Sequence, residues 1–334
     1  MADPSLAELG EWELIRRLGR FAAPGQFDDD AALLPAGGPG ALVLNTDVLV
    51  EGIHFSEATT TPFDVGWRAA AANLSDLAAM GCRSALGLTV GLVAPAATPW
   101  SWVEGAYEGL SAALQAYGGQ LLGGDCSGGA QRLLAITAIG RLEGEAGAIR
   151  RGDGLPGDRL VCTGAHGLSR LGLALLRHEA GLDPNALDAD LVRQAIQAHQ
   201  RPRPRFDAVR ALQACRPAGL PWRVAGCDSS DGLAAAVAAI AAASGCSARL
   251  DPAALPLEPA MTPLPAAQAW CLEGGEDFEL VLALAPAWAD ALVAALPGSR
   301  AIGELVNGGG GSLCWSGGEA IASGGYSHFG TSGR

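Results

Sequence analysis

The sequence contains no lysine, so all 22 of its basic residues are arginine. A chain without lysine cannot supply the lysine of a P-loop, a Schiff base or an anchor for pyridoxal phosphate. Its 35 acidic residues give a formal net charge of -13 at pH 7, which argues against nucleic acid or an anionic membrane as a partner. If the protein handles phosphates, arginine or a metal ion must therefore neutralise them.

Long apolar runs and clustered cysteines are also missing. No apolar run reaches the ~20 residues that a membrane span requires, and the first residues are acidic and lack an apolar signal core. The eight cysteines lie far apart without a CxxC pair, which favours reduced thiols over a disulfide framework or a zinc knuckle. We therefore expect a cytoplasmic protein that has no membrane partner.

With 334 residues, of which 49% are apolar, the chain is long enough for two domains with substantial cores. The stretch from Glu143 to Asp158 is polar and rich in glycine, and such composition is typical of a domain boundary. We place the N-terminal domain at residues 1–145 and the C-terminal domain at residues 146–334.

Apolar periodicity predicts the elements of the first half. Residues 41–50 (ALVLNTDVLV) are typical of a strand that enters a polar turn, whereas residues 63–81 and 100–118 follow helical spacing. The segments QLLGGDCSGG and LLAITAIGRL predict two strands around a tight turn. In the second half, RLVCTGAHGLSRLGLALL predicts a strand, a glycine turn and a helix, and the prolines of HQRPRPRF end any helix there.

Acidic residues recur at predicted strand ends and in glycine turns of both halves. They lie in FDDDAALL (Asp28, Asp29, Asp30), NTDVLVEGIHF (Asp47), NLSDLAAMG (Asp76), GGDCSGG (Asp125), CDSSDGL (Asp228, Asp231) and GGEDFEL (Glu276, Asp277). If several converge, carboxylates ~4 Å apart repel by roughly 4 kcal/mol per pair at an effective dielectric constant near 20. Such a cluster needs a cation, and its oxygen ligands suit Mg²⁺, which usually completes its shell with substrate phosphates.

Each segment taken singly also has a simpler interpretation. Asp228 or Ser230 could cap the helix that follows, and Asp76 could be a solvated residue on a helix face. His54 and Tyr107 are alone typical of packing residues with a polar tip. The loop CTGAHGLSR could hold a phosphate at a helix N-terminus, although an ordinary turn is the favoured interpretation. The metal hypothesis depends on the recurrence of acids at so many strand ends.

Taken in order, these segments resemble the thiamine-monophosphate kinase family, in the superfamily that includes aminoimidazole ribonucleotide synthetase. The similarity runs nearly end to end, through DDDAALL, NTDVLVEGIHF, NLSDLAAMG, GGDCS, RRGDGLPGD, CTGAHGLSRLGLALL, RPRPR, DSSDGL, GGEDFEL and GYSHF. It implies transfer of the γ-phosphoryl group of ATP to thiamine monophosphate, which gives thiamine diphosphate and ADP. It also implies an α+β homodimer with ATP near the dimer interface. Each subunit would pair an N-terminal α/β domain, whose mixed sheet joins that of its partner, with a C-terminal α+β domain of sheet covered by helices.

The same resemblance implies roles for individual residues. Several Mg²⁺ ions would be held by Asp29, Asn45, Thr46, Asp47, Asp76, Asp125, Asp228 and Asp231, among which Asp47, Asp125 and Asp231 are the catalytic candidates. ATP would contact Tyr107, Gly124, Asp125, Arg151 and Ser230. The thiamine phosphate would be bordered by His54, Glu276 and Tyr326. Because the acceptor phosphate is already ionised at neutral pH, we expect direct in-line transfer without a protein general base.

Four features depart from the family pattern. Asp28 stands where glycine is usual, Asn45 where threonine or serine is common, Cys126-Ser127 where a threonine-rich pair is usual, and Tyr326 where tryptophan is typical. The last change alters the ring that is available for stacking on thiamine.

Other functions remain open at this stage. Selenophosphate synthetases use a cysteine or selenocysteine near the N-terminus, and the hydrogenase-maturation relative uses one at the C-terminus. Here the first and last cysteines are Cys82 and Cys314. An aminoimidazole ribonucleotide synthetase-like enzyme, a non-catalytic protein that binds nucleotide or divalent ions, and a Mg²⁺-dependent phosphatase are the remaining alternatives.

Overall fold

The computed structural model describes Glu13, Arg16 and residues 28–34, 40–143, 147–322 and 324–326. These residues form two β-sheets with accompanying helices, which confirms the α+β fold class. No helix within them is long and apolar enough to cross a membrane. All eight cysteines are free thiols.

The first sheet consists of β1 (Ala32–Leu34), β2 (Leu42–Val50), β3 (Ala85–Ala94), β4 (Leu121–Gly128) and β5 (Leu133–Arg141). The strand order is β1-β2-β5-β3-β4. Neighbours are antiparallel except for β3 and β4, which are parallel, so the sheet is mixed as expected. The predicted strand at 41–50 is confirmed as β2. The two strands predicted around a tight turn are β4 and β5, but β3 lies between them in the sheet.

Two helices pack on one face of this sheet: α1 (Pro62–Ala79) and α2 (Trp100–Tyr117). Thr61 and Asp64 form a capping box at the start of α1, which satisfies backbone N–H groups that the first turn leaves free. The buried positions of α2 are Trp102, Ala106, Gly109, Leu110, Ala113 and Leu114. They confirm the predicted apolar face of that helix.

The other face of the first sheet is more open. Val43, Val90, Leu134 and Ile136 point towards the helices and are fully buried, while the residues between them on β2 and β5 are partly or fully exposed. In the described part of the chain, the helices that pack on this sheet lie on the buried side. Every residue of β4, an edge strand, is exposed. The sheet therefore presents an open face and an exposed edge.

The second sheet consists of β6 (Arg159–Cys162), β7 (Ala225–Asp228), β8 (Ser247–Leu250), β9 (Leu280–Leu284), β10 (Arg300–Val306), β11 (Leu313–Trp315) and β12 (Ala320–Ile321). The order is β12-β11-β8-β10-β6-β9-β7, so β7 is an edge strand. Its helices are α3 (Leu168–Leu176), α4 (Ala189–Gln200), α5 (Phe206–Ala214), α6 (Leu233–Ala243), α7 (Ala267–Glu273) and α8 (Pro286–Ala295). The predicted strand, turn and helix are β6 and α3, and the predicted helix break separates α4 from α5.

Helix α1 joins the two sheets. Its Ser75 Oγ donates a hydrogen bond to Asp228 at the end of β7, at 2.6 Å. Its Trp67 Nε1 donates to the carbonyl oxygen of Pro202, between α4 and α5, at 2.9 Å. The same helix carries Asp76, so the acid lies where the two halves of the chain meet.

Candidate active site

Three carboxylates from distant parts of the chain meet between the sheets. Asp30 precedes β1, Asp76 lies on α1 and Asp228 ends β7, and one oxygen of each lies within 4.8 Å of the others. We call these three residues the carboxylate cluster. The Asp30 side chain is 4% exposed and Asp228 is 5% exposed. Of the acids predicted to hold metal, the structure thus brings Asp76 and Asp228 together, with Asp30 as the third member.

Burial makes the charged form of these acids unfavourable. Desolvation raises the pKa of Asp30 to about 7. It also raises the pKa of Asp76 and Asp228, and for Asp76 the neighbouring acids raise it further. Beside the cluster, burial and then the negative charge of Asp228 raise the pKa of Asp47 to about 6. A cation in the cluster would stabilise the ionised carboxylates.

The unsatisfied oxygens in this region are suited to such a cation. Asp30 Oδ2 and Asn45 Oδ1 are buried and have no hydrogen-bond partner, although buried polar atoms are nearly always paired. Asn45 adjoins the cluster because its Nδ2 donates to Asp76 Oδ2 at 2.6 Å. Carboxylate and amide oxygens are the ligands that Mg²⁺ takes in proteins. The residues therefore fit a Mg²⁺ site in which the cluster, Asn45 and Asp47 would hold the ion.

Asn73 on α1 fixes this arrangement and was missed by sequence reasoning. It is fully buried, and its Oδ1 accepts hydrogen bonds from Asn45 Nδ2 at 3.2 Å and from the Asp47 backbone N–H at 3.1 Å. Its Nδ2 donates to the carbonyl oxygen of Ala69 at 2.9 Å. Asn73 thus holds β2 against α1. A polar residue within an apolar helix, three positions before Asp76, was the available signal.

In the DDD segment, Asp30 and not Asp29 belongs to the carboxylate cluster. Asp29 accepts a hydrogen bond from the Arg151 backbone N–H at 2.8 Å and lies 3.6 Å from Arg150 Nη1. The Arg151 side chain instead pairs with Asp30. A run of three identical residues does not reveal which side chain points inward, and the family resemblance implied the neighbouring Asp29.

The predicted residues Tyr107, Gly124 and Asp125 lie near the opposite edge of the first sheet. Gly124 and Asp125 are exposed on β4, and burial and then the nearby Cys126 thiol raise the pKa of Tyr107. Three strand spacings separate β4 from β2, or about 14 Å. The register places Asp125 on the open face and Asp47 on the helix-covered face. Within one chain, Asp125 therefore lies apart from the carboxylate cluster.

Thr46 also faces the open side of the first sheet. Its Oγ1 lies 2.8 Å from Thr137 Oγ1 on β5. Successive side chains of a strand point to opposite faces, so those of Asn45 and Asp47 face α1. The structure thus separates the side chain of Thr46 from those of its two neighbours.

Two of the simpler interpretations are wrong. The N-cap of α6 is Gly232, and no side chain caps that helix, so neither Asp228 nor Ser230 is a capping residue. Asp76 is not a solvated helix-face residue, because it receives the Asn45 hydrogen bond and burial raises its pKa.

Four predicted residues meet beyond the end of β7. The Ser230 carbonyl oxygen accepts from the Glu276 backbone N–H at 2.7 Å, and the Asp231 carbonyl oxygen accepts from the Tyr326 backbone N–H at 3.3 Å. CDSSDGL, GGEDFEL and the GY of the tail therefore come together. The tyrosine ring is 52% exposed at this place.

His54 and Glu276 are linked through an arginine that sequence reasoning missed. The His54 Nδ1 accepts from the Val50 backbone N–H at 3.0 Å. Arg68 Nη2 donates both to the His54 carbonyl oxygen at 3.2 Å and to Glu276 Oε1 at 2.5 Å. Arg68 is 3% exposed. Two predicted substrate residues, one from each half of the chain, thus share one buried cation.

The loop CTGAHGLSR is an ordinary turn. The N-terminus of α3 is occupied by Asp277, whose carboxylate accepts from the backbone N–H groups of Gly167 at 2.6 Å and Ser169 at 3.0 Å. Burial raises the pKa of Asp277 to about 7, although these two hydrogen bonds favour its charged form. A carboxylate of the chain itself takes the place that a phosphate would occupy.

Comparison with known families matches both halves of the chain. The family described as "AIR synthase related protein, N-terminal domain" matches residues 28–142. Its counterpart "AIR synthase related protein, C-terminal domain" matches residues 156–316. The fold and the matches together define a two-domain protein of the AIR synthase-related class.

Full-length relatives narrow this class. A thiamine-monophosphate kinase of Prochlorococcus marinus is 46% identical over 95% of this chain and 94% of its own length. That of Synechococcus elongatus is 48% identical over 91% of both chains. The solved structure described as "AaThiL complexed with AMPPCP and TMP" superposes with a TM-score of 0.83 at 28% identity, covering 98% of this chain and all of that one. The chain belongs to the thiamine-monophosphate kinase family.

Proposed function

We propose that the protein transfers the γ-phosphoryl group of ATP to thiamine monophosphate and so forms thiamine diphosphate and ADP. The observation that carries the proposal is the carboxylate cluster, which lies between the sheets of a chain 46–48% identical to two such kinases. The complex with AMPPCP, an ATP analogue, and TMP on the same fold supports the two substrates.

The main barrier to this reaction is electrostatic. ATP carries about four negative charges and the acceptor phosphate about two, and phosphoryl transfer depends mostly on positioning and charge stabilisation. Bound Mg²⁺ would supply positive charge to the phosphate oxygens. Asp30, Asp76 and Asp228 would hold it, with Asn45 and Asp47 beside them, and Asn73 keeps β2 and α1 in register for that task.

The remaining predicted residues divide between the two substrates. Arg151 lies against Asp30 and Ser230 lies two residues after Asp228, so both would meet ATP next to the carboxylate cluster. His54, Glu276 and Tyr326 would border thiamine monophosphate. The acceptor oxygen is already ionised at neutral pH, so no side chain has to remove a proton and transfer is direct.

We infer that the working unit is a homodimer. The first sheet has an open face and an exposed edge, and Leu121 and Leu122 on that edge are 44% and 47% exposed. Exposed apolar residues on an unpaired edge favour association with another sheet. A partner subunit would also explain why Tyr107, Gly124 and Asp125 lie about three strand spacings from the carboxylate cluster of their own chain: they would serve the site of the partner.

We retain a domain boundary within residues 143–158 and a cytoplasmic location as proposals. The boundary is supported by the ends of the two family matches, at residues 142 and 156. The location is supported by eight free thiols, which are typical of a reducing compartment.

The test of function is product analysis. Purified protein is incubated with ATP, Mg²⁺ and thiamine monophosphate, and the products are identified by mass spectrometry. Thiamine diphosphate and ADP in equal amounts support the kinase. Release of inorganic phosphate without thiamine diphosphate would indicate the phosphatase, and nucleotide binding without turnover would indicate a non-catalytic protein. A phosphorylated aspartate trapped during turnover would disprove direct transfer.

The test of assembly is the molar mass in solution. We expect light scattering to give twice the 33.8 kDa of one chain and Leu121→Glu, on the β4 edge, to give the mass of the monomer. Leu155→Glu is the matched control, because Leu155 is 52% exposed and lies outside the first sheet. A monomeric wild-type protein with full activity would exclude a shared site.

A further inference from the structure

Arg68 is a buried cation. Its partners lie where thiamine monophosphate, the phosphoryl acceptor, would bind, beside His54, Glu276 and Tyr326; we call this region the acceptor end of the site. Its guanidinium donates to the carbonyl oxygen of His199, to the carbonyl oxygen of His54 at 3.2 Å and to Glu276 Oε1 at 2.5 Å. The side chain is 3% exposed. A fixed planar donor group with several acceptors holds them in a defined geometry.

These three acceptors come from separate elements. His54 follows β2, His199 is near the end of α4, and Glu276 lies in the loop before β9. Arg68 itself lies on α1, the helix that joins the two sheets. Its guanidinium therefore ties the N-terminal half of the acceptor end to the C-terminal half.

The loop that carries Glu276 depends on such a tie. Glu276 has a φ of 57° and Phe278 a φ of 51°, and left-handed backbone is unfavourable for residues other than glycine. The Glu276 backbone N–H is fixed by Ser230 and its carboxylate is fixed by Arg68. Strained backbone that surrounding contacts hold in place is found preferentially at functional sites.

Arg68 supplies the positive charge opposite Glu276. The Glu276 Oε2 lies 3.7 Å from His199 Nδ1. Burial, and then the charge of Arg68, lower the pKa of His199 to about 2, so that ring is neutral at working pH. The Glu276 side chain is 33% exposed, which leaves part of the carboxylate open to a ligand. Thiamine monophosphate has a positively charged thiazolium ring and an aminopyrimidine, and both suit a carboxylate.

We propose that Arg68 is a positioning residue for the acceptor: it holds Glu276 and His54 at the spacing at which they receive thiamine monophosphate. This inference rests on the proposed function. It predicts that loss of the guanidinium weakens acceptor binding and leaves ATP binding unchanged, because the described contacts of Arg68 avoid the carboxylate cluster.

The experiment compares Arg68→Met and Arg68→Lys with a second ion pair between the side chains of distant residues, in which the acid is buried and the arginine is partly exposed. Arg223 is the control, because it pairs with both oxygens of buried Asp158 and donates to the Asp153 carbonyl oxygen at 3.1 Å. Steady-state kinetics give KM for each substrate, calorimetry gives the Kd of thiamine monophosphate without ATP, and thermal melts report folding.

For Arg68→Met we expect KM and Kd for thiamine monophosphate to rise roughly 10- to 100-fold, the cost typical of misplaced binding groups. KM for ATP should stay within about twofold. Arg68→Lys keeps the charge but loses the planar fork, so its KM for the acceptor should fall between those of the wild type and Arg68→Met. Arg223→Met should lower Tm and leave both KM values unchanged.

Three outcomes would overturn the proposal: a lower Tm for Arg68→Met with unchanged acceptor affinity, equal rises in both KM values, or wild-type acceptor binding in Arg68→Lys. If Arg68→Met does not fold, the lysine variant decides. If the wild type binds thiamine monophosphate but forms no thiamine diphosphate, the proposed function fails while calorimetry still tests Arg68. If the wild type does not bind it, both proposals fail.

Discussion

The two ends of the candidate site differ in how many of their carboxylates are paired with an arginine. Glu276, at the acceptor end, is paired with a buried arginine. In the carboxylate cluster, Arg151 pairs with Asp30. Asp76 and Asp228 instead accept hydrogen bonds from uncharged groups, the side-chain amide of Asn45 and the hydroxyl of Ser75. The acceptor end therefore has one arginine for one carboxylate, whereas the carboxylate cluster has one arginine for three.

This difference follows from what each end would bind. A carboxylate that faces an organic cation needs a fixed position and little further charge, and an ion pair provides that position. Acids that hold Mg²⁺ need their charge for the metal, and an arginine on every acid would compete with it. One arginine for three acids therefore fits a site that would take its remaining positive charge from Mg²⁺.

Neutralising one acid of the carboxylate cluster should have the largest effect on activity. Asp76→Asn keeps the shape of the side chain and removes its charge. We expect kcat/KM to fall by about 100-fold or more, since even the outer partners of metal ligands are worth 10- to 100-fold. The measurement is the rate of thiamine diphosphate formation at saturating Mg²⁺.

The same variant should stabilise the metal-free protein, because it removes an acid whose charged form is disfavoured by burial and then by the neighbouring carboxylates. Thermal melts in EDTA are therefore the companion measurement, and Tm should be equal to or above that of the wild type. Glu258→Gln is the control, an acid outside the site on the C-terminal half, and should leave activity unchanged. Near-normal turnover of Asp76→Asn would show that the cluster is not the metal site.

A smaller perturbation removes the hydrogen bond that α1 makes to the cluster. Ser75→Ala deletes the hydroxyl that donates to Asp228 Oδ2 at 2.6 Å and leaves every carboxylate in place. We expect a loss of about 10-fold in kcat/KM, with a higher Mg²⁺ concentration for half-maximal activity. Both changes are measured from the reaction rate as a function of Mg²⁺ concentration. An unchanged Mg²⁺ dependence would mean that Asp228 is oriented without this contact.

A pH series tests whether the carboxylate cluster titrates as its burial predicts. Burial raises the pKa of Asp30 to about 7 from 3.8, so between about pH 4 and 7 the folded chain binds a proton that the unfolded chain has released. The free energy of unfolding of the metal-free protein then decreases as pH rises through that window. Burial lowers the pKa of His166 to about 4, which has the opposite effect between about pH 4 and 6.5.

Measuring Tm with Mg²⁺ and with EDTA at each pH separates the contribution of the metal-binding acids from that of the other titrating groups. Mg²⁺ competes with protons for the carboxylates, so the rise in Tm that Mg²⁺ causes should be larger at pH 8 than at pH 5.5. A difference of a few degrees is expected for a chain of this size. The pH dependence of that rise should be weaker in Asp76→Asn. Equal rises at both pH values in the wild type would place Mg²⁺ outside the cluster.

Sequence patterns predicted local elements well because local physics decides them. The strand-like composition of β2, the apolar face of α2 and the prolines between α4 and α5 each act over a few residues. The convergence of Asp76 and Asp228 was predicted from the repetition of acids at strand ends, which needs no knowledge of strand order.

What the sequence could not predict depends on contacts between distant elements. The separation of Asp125 from Asp47 follows from strand order, since β3 and β5 lie between their strands. The choice of Asp30 over Asp29 depends on one side-chain direction. Arg68 resembles any helical arginine until the fold brings Glu276, 208 positions away, within 2.5 Å.

The mildest prediction concerns the start of α1, the helix that reaches both ends. Thr61→Ala removes the side chain that caps this helix and accepts from the Asp64 backbone N–H at 3.3 Å. It should cost about 1 kcal/mol of unfolding free energy, measured by urea denaturation, and leave KM for both substrates unchanged. Thr262→Ala, a threonine at the end of a short turn of helix, is the control for loss of a hydroxyl. A change in either KM would mean that the two ends are coupled through the position of α1, because the cap itself touches neither of them.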